Sequence, residues 1–352
     1  MLEFRSNDRF AVIKFFVVAL LMFYVLLFLS SDKKNYFKDL KKYFFFLLFI
    51  AVCIISTIWS INPYITFINS ILLLFFFLSF LKIKNIIGYD LLFPLVPLII
   101  LSTIIASIII NGFEGRFIGG NQPNIIGQFA FFGIFFSFFL KKNSLRYVFN
   151  ISFIIIIILV NSRIYLLSTG LFFITNFFIK NNFKKNIFFT LLSIYLIFCF
   201  LFIFTSQFEK LYEILAEYLK IFDEARGLDS NFTGRIDYWL LGIELFKEKM
   251  FLGYGFRTRT NITTDDLQSI SAHSGLINLL VDTGLLGFIP FLISIFKSII
   301  QKADNLKIRY NHYIISIFPS LILILTFEPV HFYLGLPFNL FLILTIINVD
   351  SN

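Results

Sequence analysis

The sequence predicts an all-α fold: a polytopic transmembrane helical bundle of about eleven spans, with one long extracytoplasmic loop containing amphipathic helices. Three observations predict it. The 352 residues are 58% hydrophobic and 14% charged, against about 45–50% and about 25% in soluble domains. Apolar runs near the length that crosses about 30 Å of hydrocarbon recur from end to end. The only long hydrophilic interval runs from Ser206 to Gly287. A β-barrel would need alternation over segments of about ten residues, and that pattern is absent.

The spans fall at roughly 12–30, 43–60, 64–81, 90–110, 124–140, 147–161, 164–180, 187–205, 273–297, 312–327 and 331–348. Three regions follow: 1–205 with about eight spans, the loop 206–272, and 273–352 with about three spans. Short spans imply tilt or packing inside the bundle. The 53 Phe residues belong to a general Phe/Ile/Lys/Asn bias, so single aromatics carry little functional weight. Cys53 and Cys199 both sit in apolar segments and offer neither a disulfide framework nor metal spacing. The first apolar run lacks a small-residue cleavage site and reads as a retained helix.

The net charge of +9 is concentrated in alternate loops, which points to membrane orientation and away from nucleic acid. One set of loops holds Lys33, Lys34, Lys38, Lys41, Lys42, Lys82, Lys84, Lys141, Lys142 and Arg146. It continues with Lys180, Lys184, Lys185, Lys297, Lys302, Lys307 and Arg309. The other short loops hold only Arg116 and Arg163. The first set is therefore cytoplasmic and the loop 206–272 extracytoplasmic. Arg5, Arg9 and Lys14 weigh against the outer N-terminus that this pattern requires.

Sorted by side, the chemistry lies outside. Glu114, Arg116, Asn121, Asn124, Arg163, the long loop, Glu328 and His331 share the outer rim. Gly119 to Asn124 (GGNQPN) reads as a turn with Asn124 a helix cap, or as a rim where Arg116, Asn121 and Asn124 face a ligand. Arg163 follows an apolar run with almost no loop. An arginine at that depth faces a cavity or a partner, unless it snorkels to the interface.

Ser206 to Phe222 forms an amphipathic stripe suited to the bilayer surface. Thr233 caps a second helix, about 234–249, with Arg235 in its first turn. A cation is disfavoured there by the helix dipole, so Arg235 suggests an anion pocket beside free N–H groups. Pairing with Asp237 is the plain alternative. Gly253 and Gly255 around Tyr254 mark a tight turn or a close backbone approach. Arg257 and Arg259 follow and can reach an anionic ligand or headgroups. His273 opens the ninth span, which also carries Gly275, Gly284 and Gly287.

The order of these motifs resembles the bacterial O-antigen polymerase/O-antigen ligase family. It runs Ser-Arg at a span start, Thr-Gly-Arg before an aromatic helix, Leu-Gly-Tyr-Gly, then His opening a span with Gly-Leu-Leu-Gly. The resemblance covers about Gly119 to Gly287. It implies a bacterial cytoplasmic-membrane glycosyltransferase that uses an undecaprenyl-diphosphate-linked glycan on the outer face. By motif, the diphosphate falls to Arg163 and Arg235, and the acceptor hydroxyl to His273. Asn121, Asn124, Arg116, Tyr254, Arg257, Arg259 and Glu328 would line the substrate. Ser274 stands where many members have Asn after the histidine, and the loop follows the eighth span where ligases of the family usually have it after the ninth. Membrane lipids, a chain-length regulator and a flippase are the partners implied.

The residues support that chemistry on their own terms. Outside the membrane no nucleotide sugar is available, so a transferase needs a lipid-linked donor. Departure of a polyprenyl diphosphate requires positive charge placed in advance, and arginine forks match phosphate oxygens. No metal ligand set stands outside beyond the bare Asp265–Asp266 pair, and no cofactor is called for. Histidine suits general-base work near neutrality, with Glu114 and Glu328 as alternatives. Chain length and the histidine context favour polymerisation of repeat units over ligation to lipopolysaccharide core. A transporter of lipid-linked sugars would need midplane polar residues and repeated halves. A non-catalytic docking protein would explain the amphipathic helix but not the three aligned motif residues.

Overall fold

The computed structural model describes residues 41–87, 89–114, 117–118, 123–180, 235–258, 274–304 and 311–328. The described elements are α1 (Phe44–Ile55), a 3₁₀ turn (Ser56–Ile58), α2 (Pro63–Ile87), α3 (Tyr89–Asn111), β1 (Phe113–Glu114), β2 (Phe117–Ile118) and α4 (Pro123–Ser137). They continue with α5 (Asn143–Leu159), α6 (Arg163–Lys180), α7 (Arg235–Glu248), α8 (Gly275–Asp304) and α9 (Asn311–Phe327). Each predicted span that falls on described residues coincides with one helix, and α7 is the predicted second loop helix. The spans at 12–30, 187–205 and 331–348, and the helix at 206–222, lie outside the described residues. By length and composition, the stretches Phe93–Ile110 and Gly275–Lys302 are long and apolar enough to cross a membrane. Five other apolar stretches, Phe44–Ile58, Pro63–Ser79, Pro123–Ser137, Asn143–Leu159 and Asn311–Phe327, are shorter.

Local sequence explains the helix ends. Asn62 caps α2, its Oδ1 accepting from the Ile65 N–H at 3.2 Å, and Pro63 at the first helical position gives up no needed donor. The α5–α6 connection needs almost no loop because Asn161 takes a left-handed conformation, φ 50°. The Asn161 and Ser162 N–H groups then return to Ile158 O and Ile157 O at 2.9 and 3.4 Å, closing the last carbonyls of α5. Helix α6 restarts at Arg163. β1 and β2 form a two-residue antiparallel pair, Phe113 opposite Ile118.

The core is made of phenylalanine. Phe46, Phe49, Phe77, Phe93, Phe131, Phe132, Phe135, Phe136, Phe139, Phe153 and Phe172 are fully buried. They pack mainly as tilted and edge-to-face pairs: Phe93 on Phe139 at 4.4 Å, Phe138 on Phe172 at 5.2 Å, Phe135 on Phe172 at 5.9 Å. The compositional bias is thus the packing material of the bundle. Small residues bring helices closer. A Cβ on Gly133 would lie 2.4 Å from the Phe153 ring, so α4 and α5 meet there. Ser320 Oγ donates to Ser168 O at 2.8 Å and the Thr175 hydroxyl donates to Ser316 O. These bonds lay α6 antiparallel to α9 and bring the start of α6 beside the end of α9.

Candidate functional site at the helix rim

Four helix ends converge on one polar cluster. Asn124 is in the first turn of α4, Ser162 immediately precedes α6, Gly275 opens α8, and Glu328 follows α9. Asn124 Nδ2 donates to Glu328 Oε1 at 2.9 Å, and Ser162 Oγ donates to Asn124 Oδ1 at 3.0 Å. The Gly275 N–H donates to the Glu328 carbonyl at 2.9 Å. Glu328 is 5% exposed and Ser162 3%. A carboxylate this deep requires hydrogen bonding, and Asn124 supplies one such bond. Gly127 permits the arrangement: a Cβ there would lie 2.8 Å from the Tyr165 ring and 2.9 Å from Ser162 Cβ. Close approach of α4 and α6 is what lets Ser162 reach Asn124.

The cap predicted at Asn124 is corrected here. Pro123 starts the helix one residue earlier, because its fixed φ and missing N–H suit the first helical position. The amide of Asn124 is thereby used in tertiary contact. Arg163 is exposed beside this cluster and bonds to no other described side chain. Helix α7 reaches the same end: Trp239 packs on Phe327 at 5.7 Å, one residue before Glu328. Arg235 is the first residue of α7, one helical turn before Trp239. His273, Asn121, Arg116 and Arg259 lie outside the described residues. Ser274, next to His273, donates through its hydroxyl to Leu325 O at 3.4 Å, and so ties the start of α8 to the end of α9.

The Leu-Gly-Tyr-Gly motif forms a second assembly. Helix α8 is broken at Gly284, φ 60° and ψ −167°. In an unbroken helix the Leu285 and Leu286 N–H groups would donate to Val281 O and Asp282 O. They donate instead to Met250 O and Phe251 O at 2.9 and 3.1 Å. The Val281 and Asp282 carbonyls receive the Tyr254 and Gly255 N–H groups, both at 2.9 Å. Two helical bonds are exchanged for four bonds to the loop after α7, so the Val281 and Asp282 carbonyls and the Leu285 and Leu286 N–H groups are not stranded in apolar surroundings. Glycine is obligatory at the contact. A Cβ on Gly253 would lie 2.6 Å from Asp282 O and Gly284 N, and one on Gly284 2.3 Å from Phe251 O. The tight turn expected at Gly253 and Gly255 is present. The interruption of the ninth span at Gly284 was not anticipated, although both motifs were visible.

This clip also grips the α1–α2 connection. Thr66 Oγ1 donates to Phe256 O at 3.2 Å and the Phe256 N–H donates to Ser56 Oγ at 3.2 Å. Trp59 Nε1 donates to Leu252 O at 3.1 Å. Arg257, at φ 66°, donates from Nη1 to Asn69 Oδ1 at 2.8 Å. Tyr254 is 6% exposed; its hydroxyl bonds Glu248, and Lys249 Nζ lies 4.3 Å from its ring centroid. Burial, and then the Glu248 bond, push the Tyr254 hydroxyl above its ordinary range. The arrangement packs Tyr254 into the α7–α8 contact and fastens Arg257 to α2. Asn69 and the buried Asp282, 2% exposed within the break, had no distinguishing sequence signal, whereas Ser162 was visible as half of the Ser-Arg pair at a span start.

Residues 148–292 match the family model described as O-antigen ligase. The matched stretch runs from α5 through Ser162, Arg163, α7 and the clip to α8 just past its break. No curated protein matches the chain.

Proposed function

We propose that this chain, whose residues 148–292 belong to the O-antigen ligase family, polymerises undecaprenyl-diphosphate-linked oligosaccharide repeat units at the outer face of the bacterial cytoplasmic membrane. The family is membrane-integral and glycan-handling. The observation that carries the reading is the meeting of Asn124, Ser162, Gly275 and Glu328 at one end of the bundle, with Arg163 exposed beside them. Arg163 opens α6 here, and His273 stands immediately before Ser274 in the sequence.

In the proposed reaction an acceptor sugar hydroxyl attacks the anomeric carbon of the donor glycan. The new C–O bond forms as the bond from that carbon to the diphosphate oxygen breaks, and undecaprenyl diphosphate leaves. His273 takes the hydroxyl proton. Arg163 and Arg235 hold the diphosphate, where fixed cations stabilise charge as it develops. Asn121, Asn124, Arg116, Arg259 and Glu328 line the sugar path. Tyr254 and Arg257 act from behind by holding the clip. Positioning of this kind needs neither metal nor cofactor.

Ligation of finished glycan to lipopolysaccharide core is the second reading, favoured by the description of the matched family. A glycan ladder gel from a deletion strain separates the two. Loss of a polymerase leaves surface glycans one repeat long; bare core with accumulated lipid-linked polymer would overturn polymerisation in favour of ligation. His273→Ala and Arg235→Ala are each expected to abolish chain extension at normal protein levels. Full ladders from both variants would refute the site.

A further inference from the structure

The end of α8 opposite the rim carries a different chemistry. Lys297 lies on the second segment of α8, 13 residues beyond the break at Gly284 and about 20 Å along it at 1.5 Å per residue. There Lys42 and Tyr43, just before α1, and Phe45 join Ser294, Lys297, Ser298 and Gln301 of α8 around a polar notch of about 10 Å³, too small to enclose an anion but open at a lysine-lined mouth. Lys297 Nζ lies 5.5 Å from the centroid of the Phe45 ring, in the first turn of α1. No side chain caps the start of α1, so its dipole adds to the positive field. Behind the cavity, Lys302 is 2% exposed and donates from Nζ to Ser298 Oγ at 2.6 Å. Two lysines at the cavity and a third behind it make a cationic site for a phosphate-bearing anion; the Ser294 hydroxyl is spent on Phe291 O at 2.7 Å.

The cavity does not end there. Lys297 and Gln301 also border a groove of about 580 Å³ along one face of α8, walled by Ile289, Leu292, Ile293, Phe296 and Ile300. Ile289, Ile293 and Ile300 are 48%, 38% and 50% exposed, so the face is open. A soluble anion would use only the cationic cavity. A molecule with a phosphate at one end and an acyl chain at the other matches both parts, joined at the two residues they share. We infer that this end of the bundle binds one anionic phospholipid, its phosphate held at the mouth of the cavity by Lys42 and Lys297 and an acyl chain laid along the Ile289–Ile300 face. The site sits among the basic residues that the loop charges assign to the cytoplasmic side. It is separate from the rim, and it stands or falls independently of glycan transfer.

Native mass spectrometry of the detergent-purified full chain tests it, with phosphatidylglycerol and phosphatidylcholine of identical acyl chains as probes. Phosphatidylglycerol is expected to be retained about tenfold more than phosphatidylcholine, at a stoichiometry of one. The double variant Lys42→Gln/Lys297→Gln should remove that preference, whereas Lys141→Gln/Lys142→Gln, with the same charge loss in another basic loop, should keep it. Ile293→Asn in the groove wall should lower retention of the lipid with the lysines intact. Equal retention of the two lipids, or equal loss in the two lysine doubles, would overturn the site. So would inorganic phosphate raising the melting temperature as much as phosphatidylglycerol does, since that would make the ligand a soluble anion.

Discussion

Helix α8 takes part in two polar assemblies, and they are made of different groups. At its start the rim joins Asn124, Ser162 and Glu328 through side chains, with one backbone bond from Gly275. Two turns later the clip joins Met250–Gly255 to Val281–Leu286 through backbone alone. Backbone pairing has little chemical versatility: the four N–H groups of the clip are each committed to a carbonyl. Side-chain pairing leaves carboxylate and amide atoms that can exchange partners. The clip therefore fixes geometry, and the rim is where the proposed chemistry is placed. The family match takes in the whole clip and, of the rim, Ser162 and Gly275, while Asn124 and Glu328 lie outside it.

The largest effect should come from breaking the clip. Gly284→Val would force a β-branched residue into φ 60° and against Phe251 O. Backbone strain and overpacking together cost on the order of 3–5 kcal/mol. The expected result is loss of folded protein, read as aggregation on size-exclusion chromatography in detergent. A monodisperse variant with an unchanged melting temperature would mean that the clip is not what holds α7.

The rim should behave in the opposite way. Arg163 is exposed at a helix start and supports no described contact, so Arg163→Ala should leave the melting temperature within a degree or two while chain extension falls by about 10²–10³-fold. Arg163→Lys should recover only part of it, because a point charge replaces a bidentate fork. A stable and fully active alanine variant would sever the rim from catalysis.

Much of this contrast was legible in the sequence. Apolar periodicity located every described helix, and the glycines of Leu-Gly-Tyr-Gly announced a close backbone approach. What periodicity could not reveal is pairing between distant segments. Gly284 reads as one small residue in an apolar run, and only the facing loop makes it a break. Asn124 was legible as a polar residue at a helix start, but its use depends on Glu328, 204 positions away. Asn161 and Ser162 were legible only as neighbours of Arg163, Ser162 through the Ser-Arg pair at a span start. They are instead the left-handed turn and the hydroxyl that place Arg163.

A milder change tests how far the rim also contributes to folding. Asn124→Ala removes a donor to buried Glu328 and an acceptor for Ser162, costing about 1–3 kcal/mol. Glu328→Gln keeps an oxygen that can accept from Asn124, so it should cost less. Thermal unfolding in detergent should rank Asn124→Ala below Glu328→Gln, and the reverse order would mean that the carboxylate charge outweighs the hydrogen bond.

The smallest effect belongs to the outer edge of the clip. Tyr254→Phe removes one hydroxyl and its bond to Glu248 while leaving the ring packed among Trp239, Phe246 and Ile277. Because Glu248 is exposed and can turn to water, the loss should be about 0.5–1 kcal/mol. Alkaline titration sharpens the test. The Tyr254 hydroxyl is held above its ordinary range, so it stays protonated in the folded chain where an unfolded tyrosine ionises. Its contribution is complete below the ordinary tyrosine range and declines as pH rises through that range toward the folded value. Wild type and Tyr254→Phe should therefore draw together in stability at alkaline pH, with unchanged chain extension in both at neutrality. A phenylalanine variant that loses activity at normal stability would move Tyr254 out of the clip and into the substrate path.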